Sequence, residues 1–405
     1  MQNKFCLRKQ FIFSLLQNIC YFWKYTTYFM SKKYLSHLLL ILFAALSLTS
    51  CNDDEPEYEP VSPVVVDLTQ VPYPKLSDYK FFEGQLKNQV PSLNVLPFEP
   101  ASSLFTDYAL KKRWVWMPEN AKATYNGNGN VLELPVGAAL IKNFYYDNVQ
   151  NVSPSGSSRI VETRIMIRKT SGWIFADYVW NSEQTEAYYD MAGSFTPVTW
   201  TDGNGVTKST DYRIPSEEQC IVCHKTKQVV NGQDITIHIP IGIKPQSMNF
   251  NYNYAGESKN QLTKWIEEGF LEDDFTLPIA ANSMVDYNDT SKSLDVRARS
   301  YFDVNCAHCH QANRHCDYRP MRFAFEETAN NPANMGVCVE TVDMQEFPSA
   351  LSQIVTPGNI ERSMLYYRLN TTNEGYRMPL HGRTVIHEEG LALIEQWINS
   401  LEPCQ

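Results

Sequence analysis

The chain has 405 residues, 43% of them hydrophobic and 20% charged, a size and composition that predict two or three domains with a sizeable core. The formal net charge is −10, and because the first 51 residues contain no acidic side chain, the rest carries 29 basic against 45 acidic residues, a net of −16. Such an acidic body argues against a nucleic-acid partner and against docking on anionic lipid headgroups, whereas it suits solubility.

Residues 1–51 have the pattern of a targeting segment. Met30 begins a stretch with two lysines and a short apolar run, 38–48, that is too short to span a membrane comfortably and is typical of a signal peptide. The stretch ends in "LTSC", which resembles the lipobox of bacterial lipoproteins, and the acidic "NDDEPE" after it resembles the surface-export signal of Bacteroidetes lipoproteins. We therefore predict translation from Met30, lipidation of Cys51 and export to the outer membrane, on the cell surface or the periplasmic face. A second membrane segment before Met30 is the alternative.

The next two segments are predicted to be a tether and a β domain. Proline and acidic residues dominate 52–75, which predicts a linker. From 76 to 215, β-branched and aromatic residues alternate partly and are punctuated by turns such as "NGNGN" and "SPSGSS". This spacing predicts an antiparallel β-sandwich-like domain.

The rest of the chain is predicted to be helix and loop, so the whole is a multidomain α+β protein. The stretch 259–271 has a helical apolar face and a capping-box pattern of Ser258 and Gln261 at its start. "SLDVRARSYFDVN" and "EEGLALIEQWINSL" predict two further amphipathic helices. We predict two successive regions in this part of the chain, at 216–290 and at 291–405.

The sequence C-x-x-C-H occurs twice, as "CIVCH" (Cys220, Cys223, His224) and "CAHCH" (Cys306, Cys309, His310). In haem c attachment two cysteines form thioethers to the vinyl groups and the next histidine ligates the iron. The gap between the two cysteine pairs far exceeds that of a zinc ribbon, and the βαβ context of a thioredoxin-type pair is absent. An iron–sulfur cluster would leave both histidines unexplained. The motifs predict two covalently bound haem c groups, the first in an incomplete cytochrome c-like region at 216–290 and the second in a complete cytochrome c-like domain at 291–405.

A sixth ligand is expected at the second motif. Met378 lies in "GYRMPLHG", between "CAHCH" and the last helix, which is the chain order of a class-I cytochrome c. A thioether is a soft, neutral ligand that raises the reduction potential. Packing of Met378 as a core residue is the alternative. Arg377 and Arg383, on either side, are candidates for pairing with haem propionates, and equally for ordinary surface arginines.

The ligand at the first motif stays open. Only "PSEEQ" precedes Cys220, so the helix of a complete cytochrome is missing. Met248 occupies the comparable place, and packing in a loop is as good an explanation for it as ligation. His238, Met117 or an open iron site are the alternatives.

The remaining cysteines are expected to be paired or covalently used, because an exported chain folds in an oxidising compartment. Cys316 and Cys338 are the expected disulfide, closing a loop after the second motif, and Cys404 is able to replace either of them. One cysteine is left over in each case.

Ten stretches between residues 76 and 402, among them "LSDYKFFEGQL", "ETRIMIRKTSGW", "IPSEEQCIVCH", "RARSYFDVNCAHCH" and "GYRMPLHGRTVIHEEGLALIEQWI", carry a family resemblance. In this order they resemble a largely uncharacterised family of exported bacterial dihaem c-type cytochromes. The resemblance implies a haem at each C-x-x-C-H and places Met378 in the family's Met-Pro motif. At Met248 the similar family segment more often has leucine.

We therefore expect electron transfer between an extracytoplasmic oxidoreductase and another redox carrier, with a basic partner suited to the acidic surface. A dihaem peroxidase or oxidase acting at an open first haem is the enzymatic alternative, and a surface binding module wired by haems is the third. The two motif histidines are 86 residues apart, which is short for two complete peroxidase lobes.

Overall fold

The structure is a computed structural model that describes residues 60–404, and from Val61 onward the chain forms one compact unit. The predicted signal peptide and Cys51 lie outside the described residues. None of the helices between residues 60 and 404 has the length and apolar character needed to cross a membrane.

One antiparallel sheet of eight strands dominates the first half of the chain. Its long central strand β5 pairs with β6 on one side and with β4 and the end of β9 on the other. The eight strands are β3 (Val95–Pro97), β4 (Leu110–Trp116), β5 (Ala139–Val149), β6 (Ser157–Lys169), β7 (Gly172–Trp180), β8 (Ala187–Tyr189), β9 (Ser194–Thr201) and β10 (Thr207–Ile214). The predicted antiparallel β region is confirmed, but its strands form one sheet and not the two facing sheets of a sandwich.

The alternation of side chains along the sheet explains why both of its faces are covered. Ala139 and Ile141 of β5 belong to a hydrophobic cluster on one face, whereas Leu140 and Lys142 point to the other face. Burial of both faces requires something to cover each of them.

The N-terminal segment covers the first face, so the predicted 52–75 linker is too long. Val71 and Tyr73 are buried, and the Tyr79 hydroxyl hydrogen-bonds that of Tyr178 on β7 at 2.8 Å. The segment contributes only a two-stranded hairpin of β1 (Phe82–Glu83) and β2 (Val90–Pro91). Frequent prolines, which cannot donate to a strand ladder, explain why it packs as irregular chain and not as a second sheet.

The second half is helical with two small hairpins. The hairpins are β11 (Lys225–Val230) with β12 (Gln233–His238), and β13 (Asn251–Tyr254) with β14 (Glu257–Asn260). The helices are α1 (Glu217–His224), α2 (Pro245–Met248), α3 (Gln261–Glu267), α4 (Leu294–Phe302), α5 (Phe325–Thr328), α6 (Met364–Leu369) and α7 (Glu388–Asn399). The chain is therefore α+β, as predicted.

The helix predicted at 259–271 is shorter than expected. It begins at Gln261, because Asn260 is the N-cap and its side chain accepts from the backbone amides of Leu262 and Thr263. The predicted cap Ser258 lies instead in β14, where hairpin pairing extends the backbone.

Helices α4 and α7 pack together and build the core of the C-terminal part. Phe302 of α4 meets Trp397 of α7 edge to face, with ring centroids 5.2 Å apart. The buried side chains Ala298, Leu393 and Ile394 join the same cluster. Ser293 caps α4, and after Phe302 the helix widens into a π turn over Asp303–Ala307, which carries the chain into the second motif.

The disulfide differs from the expected one. Cys338 is bonded to Cys404, with Cα atoms 5.8 Å apart, and Cys316 is buried and free. The predicted Cys316–Cys338 pair is therefore wrong, while the alternative in which Cys404 takes one place is confirmed. The reason is that Cys316 stays beside the second motif, where its amide donates to the Cys309 carbonyl, whereas the C-terminal segment after α7 reaches Cys338.

Candidate functional site

The first C-x-x-C-H motif lies at the end of helix α1. Ser216 and Gln219 form a capping box that starts the helix directly after β10. Cys220 and Cys223, three residues apart, then share one helix face. His224 ends the helix, and its Nδ1 lies 2.9 Å from the Ile239 carbonyl oxygen. Donation of Nδ1–H to that carbonyl leaves the lone pair of Nε2 for a metal.

The second motif lies in a tight turn that continues from α4. The amides of Cys309 and His310 both donate to the Cys306 carbonyl, at 3.1 and 3.0 Å. His310 is 7% exposed, its ring centroid is 5.5 Å from that of Phe323, and its Nδ1 has no hydrogen-bond partner among residues 60–404. A buried histidine whose ring nitrogens are not used in the fold is available for ligation.

Burial determines the charge state of the motif histidines and cysteines in the chain without a bound group. It lowers the pKa of His224 and of His310 to about 4, so both imidazoles are neutral at pH 7. It raises the pKa of Cys220 and of Cys306 to about 12. All four motif cysteines are free of disulfides, so their sulfurs are available for covalent attachment.

Each motif lines its own cavity. The second-motif cavity, about 300 Å³ in volume, is lined by Cys306, Cys309, His310 and Met378. The first-motif cavity, about 180 Å³, is lined by Cys220, Cys223 and His224 together with strands of the large sheet.

The two cavities adjoin. Cys223, His308, Pro379 and His381 line both of them. The side-chain ligand atoms of Cys223, His308 and Cys309 all lie within 4.8 Å of one another. The fold therefore brings two motifs that are 86 residues apart in sequence into direct contact.

The Met378 loop is held by its arginines, and these do not line either cavity. The Met378 amide donates to the Arg368 carbonyl, and Arg383 donates its Nε–H to the Met378 carbonyl at 2.9 Å. Arg383 makes four further hydrogen bonds, all to backbone carbonyls. Arg377 pairs with Glu374 at 2.9 Å. Both arginines are buried groups that shape the loop, so their proposed pairing with propionates gains no support.

The three ligand candidates for the first motif do not line its cavity. Met117 and Met248 are buried in a hydrophobic cluster with Trp265. The Nδ1 atom of His238 lies 3.2 Å from the Trp173 carbonyl oxygen, and the centroid of its ring lies 4.9 Å from that of Phe175. The cavity wall instead contains two thioethers and one imidazole that sequence reasoning did not single out: Met166, Met191 and His381.

A row of charged side chains, missed from the sequence, crosses the sheet wall of the first-motif cavity. Arg113, Lys142, Arg164 and Asp177 are directly paired neighbours on β4, β5, β6 and β7, and all four line the cavity. We call these four residues the charged row. The sequence does contain a sign of this row: charged side chains stand at positions of the apolar strands that face inward, such as Lys142 between Leu140 and Phe144.

The acidic end of the row is buried. Asp177 is 1% exposed and its carboxylate oxygens have no hydrogen-bond partner among residues 60–404. Burial and then the charge of Glu162 raise the pKa of Asp177 well above its ordinary value. Glu162 accepts a hydrogen bond from Nε of Arg164 at 3.0 Å and another from the Tyr212 hydroxyl. The charge of Arg164 is therefore neutralised within the sheet.

These residues fit haem c. Each cavity has two free thiols at C-x-x-C spacing and a neutral histidine directly after them. Both cavities also hold thioether side chains and cations, and cations suit the carboxylates of a propionate-bearing group. No family model, curated protein or solved structure matches this chain.

Proposed function

We propose that the chain is an exported dihaem c-type cytochrome lipoprotein that transfers electrons between an extracytoplasmic oxidoreductase and another redox carrier. The observation that carries the proposal is the contact between two C-x-x-C-H motifs, each of which lines a cavity of its own. Haem c, when attached, supplies a one-electron redox couple. Two attachment sites that share a wall suit electron transfer better than two isolated sites.

Different residues would hold each of the two haem groups. Cys220 and Cys223 would attach one group and Cys306 and Cys309 the other, with His224 and His310 as the proximal ligands. The hydrogen bond from His224 to the Ile239 carbonyl orients its ring. Met378 would be a further ligand in the larger cavity, where its thioether would raise the reduction potential of the bound group.

The C-terminal part has further support as a cytochrome c-like domain. Helix α4 leads directly into "CAHCH", the Met-Pro loop follows, and α7 packs back on α4 through Phe302 and Trp397. This is the element order of a class-I cytochrome c. The first motif lacks such a frame, and the large sheet takes the place of the missing helices as a wall of its cavity.

The setting of the protein belongs to the same proposal. A lipid on Cys51 would tether it at the outer membrane, on the surface or the periplasmic face. The net charge of −16 beyond that residue favours a basic redox partner, because complementary charge accelerates encounter.

The experiment is haem counting in paired-cysteine variants, produced in a host with c-type cytochrome maturation. We expect two haems per wild-type chain, and one after replacement of Cys220 and Cys223 or of Cys306 and Cys309 by serine. Cys316→Ser is the matched control and should keep two. Zinc in place of haem, or haem that organic solvent extracts, would overturn the proposal.

A peroxidase is the second candidate, since one observation favours it. Arg164 and Asp177 bring a guanidinium and a protonatable carboxyl into the wall of the first-motif cavity, and such groups assist peroxide cleavage at an open iron. Carbon monoxide and cyanide binding decide between the two functions. An electron carrier with both irons six-coordinate binds neither, whereas a peroxidase binds one equivalent and consumes peroxide.

A further inference from the structure

The charged row contains more positive than negative charge. Arg164 is paired with Glu162 at 2.5 Å and lies 3.8 Å from Asp177. Lys142 forms no ion pair or side-chain hydrogen bond among residues 60–404, and its Nζ lies 4.7 Å from the centroid of the Phe144 ring. Among the described residues, the Arg113 guanidinium hydrogen-bonds only the Ser103 hydroxyl, at 3.5 Å. Two neighbouring cations therefore face the first-motif cavity without a carboxylate partner in contact.

Their surroundings make these charges costly. Burial and the neighbouring cations lower the pKa of Lys142 well below its ordinary value, and burial lowers the pKa of Arg113 to about 10. Lys142 and Arg113 are partly buried, and a partly buried cation without a counter-ion loses hydration that its few contacts with residues 60–404 replace only in part. Such a pair of side chains is expected where an anion binds between the strands and the opposite wall of the cavity.

Other basic side chains nearby are already occupied. Lys111, on the same face of β4, donates to the Ala109 carbonyl at 2.6 Å, and Arg213 pairs with Glu374 at 3.3 Å. In the second-motif cavity, Arg319 pairs with Asp343 at 2.7 Å and Arg368 donates to the Tyr376 carbonyl. Lys142 and Arg113 thus differ from the other cations around the two motifs.

We propose that Lys142 and Arg113 bind carboxylates of the prosthetic group attached at the first motif, and so set the reduction potential of that group. The inference rests on the proposed function, because it needs haem c at Cys220 and Cys223. The choice of occupant follows from the cavity: the wall that holds the two cations belongs to the same space as both thiols and His224. A free small carboxylate from solution has the same chemistry and is the alternative source.

The test is a redox titration of the full haem-loaded chain, with Lys142→Met and Lys142→Arg. Lys142→Met is expected to retain two haems and to lower the midpoint potential of one of them, because a lost positive charge favours the ferric form. We expect a change of roughly tenfold in the oxidised-to-reduced ratio at a fixed potential, from one charge acting at an effective dielectric constant near 20, which is about 59 mV for a one-electron couple. Lys142→Arg keeps the charge and should keep the potential, which separates a charge effect from direct ligation by the lysine amine.

Two controls make the outcome decisive. Lys112→Met removes an exposed lysine that neighbours the row on β4 but faces the other side of the sheet, and should leave both potentials unchanged. If Lys142→Met does not fold, Arg113→Gln carries the same expectation. Two attached haems with unchanged potentials in these variants overturn this inference alone, whereas absence of haem from wild type overturns the proposed function. Saturable binding of acetate to wild type, lost in Lys142→Met, overturns the assignment to the prosthetic group in favour of a free anion.

Discussion

Replacement of Arg383 by methionine tests how the Met-Pro loop is built. The guanidinium is 3% exposed and donates five hydrogen bonds to the carbonyls of Arg368, Leu369, Thr371, Met378 and Val385, at 2.9 to 3.2 Å. Methionine fills a similar volume but donates nothing, so each of the five carbonyls loses a hydrogen bond, while that of Arg368 keeps the Met378 amide as a donor.

The free-energy cost of Arg383→Met comes from the charge of the lost donor and from the carbonyls that lose it. A hydrogen bond to a charged group contributes about 1.5–3 kcal/mol, and such bonds within one network do not add. Leaving a buried acceptor without its donor costs about 1–3 kcal/mol. We therefore expect a loss of about 4 kcal/mol in the free energy of unfolding, or roughly 10 °C in Tm.

The assay is urea denaturation of the haem-loaded chain, with Arg362→Met as the control. Arg362 is exposed, and within the described part of the chain its guanidinium hydrogen-bonds only the Ser352 hydroxyl, at 3.4 Å, so its loss should cost less than about 0.5 kcal/mol. We also expect carbon monoxide to bind the second haem in Arg383→Met, because the Met378 loop loosens. Equal stability of the two variants would refute the role assigned to Arg383.

Three further predictions concern separate features. Replacing Cys338 or Cys404 by serine should lower the free energy of unfolding by about 4 kcal/mol, as expected for opening a 66-residue loop, while Cys316→Ser leaves the loop closed; equal unfolding midpoints for all three variants would disprove the pairing. Asp177 retains a proton in the folded chain that the unfolded chain releases above about pH 4, so it makes stability fall as pH rises from there towards its raised pKa. Asp177→Asn should lose less stability between pH 5 and pH 8 in parallel urea titrations, and identical slopes would contradict this. Met378→Ala should lower the midpoint potential of one haem only, and unchanged redox titrations would remove Met378 as a ligand.

Local patterns predicted much of the fold. The alternating β-branched and aromatic residues of β5 and β6 identify the strands, and the periodic apolar faces of α4 and α7 identify the two helices that pack around Phe302 and Trp397. The two motifs predict a chemistry because attachment to one ring demands a fixed spacing. Features that depend on neighbours in sequence can therefore be predicted without the structure.

Features that depend on distant pairing were not predictable. The charged row exists only through the register of four strands, which aligns Lys142 with Arg113 on one side and Arg164 on the other. The contact between the motifs likewise depends on how α1 meets the turn after α4. The Cys338–Cys404 bond depends on where the chain goes after its last helix, and cysteine spacing alone does not fix connectivity.

The central claim is that both motifs carry covalent haem, and mass spectrometry of the purified wild-type chain after proteolysis tests it most directly. The account predicts one haem on the peptide with Cys220 and Cys223, and one on the peptide with Cys306 and Cys309. Unmodified cysteines in either peptide, from a host that loads haem on a control c-type cytochrome, would contradict it.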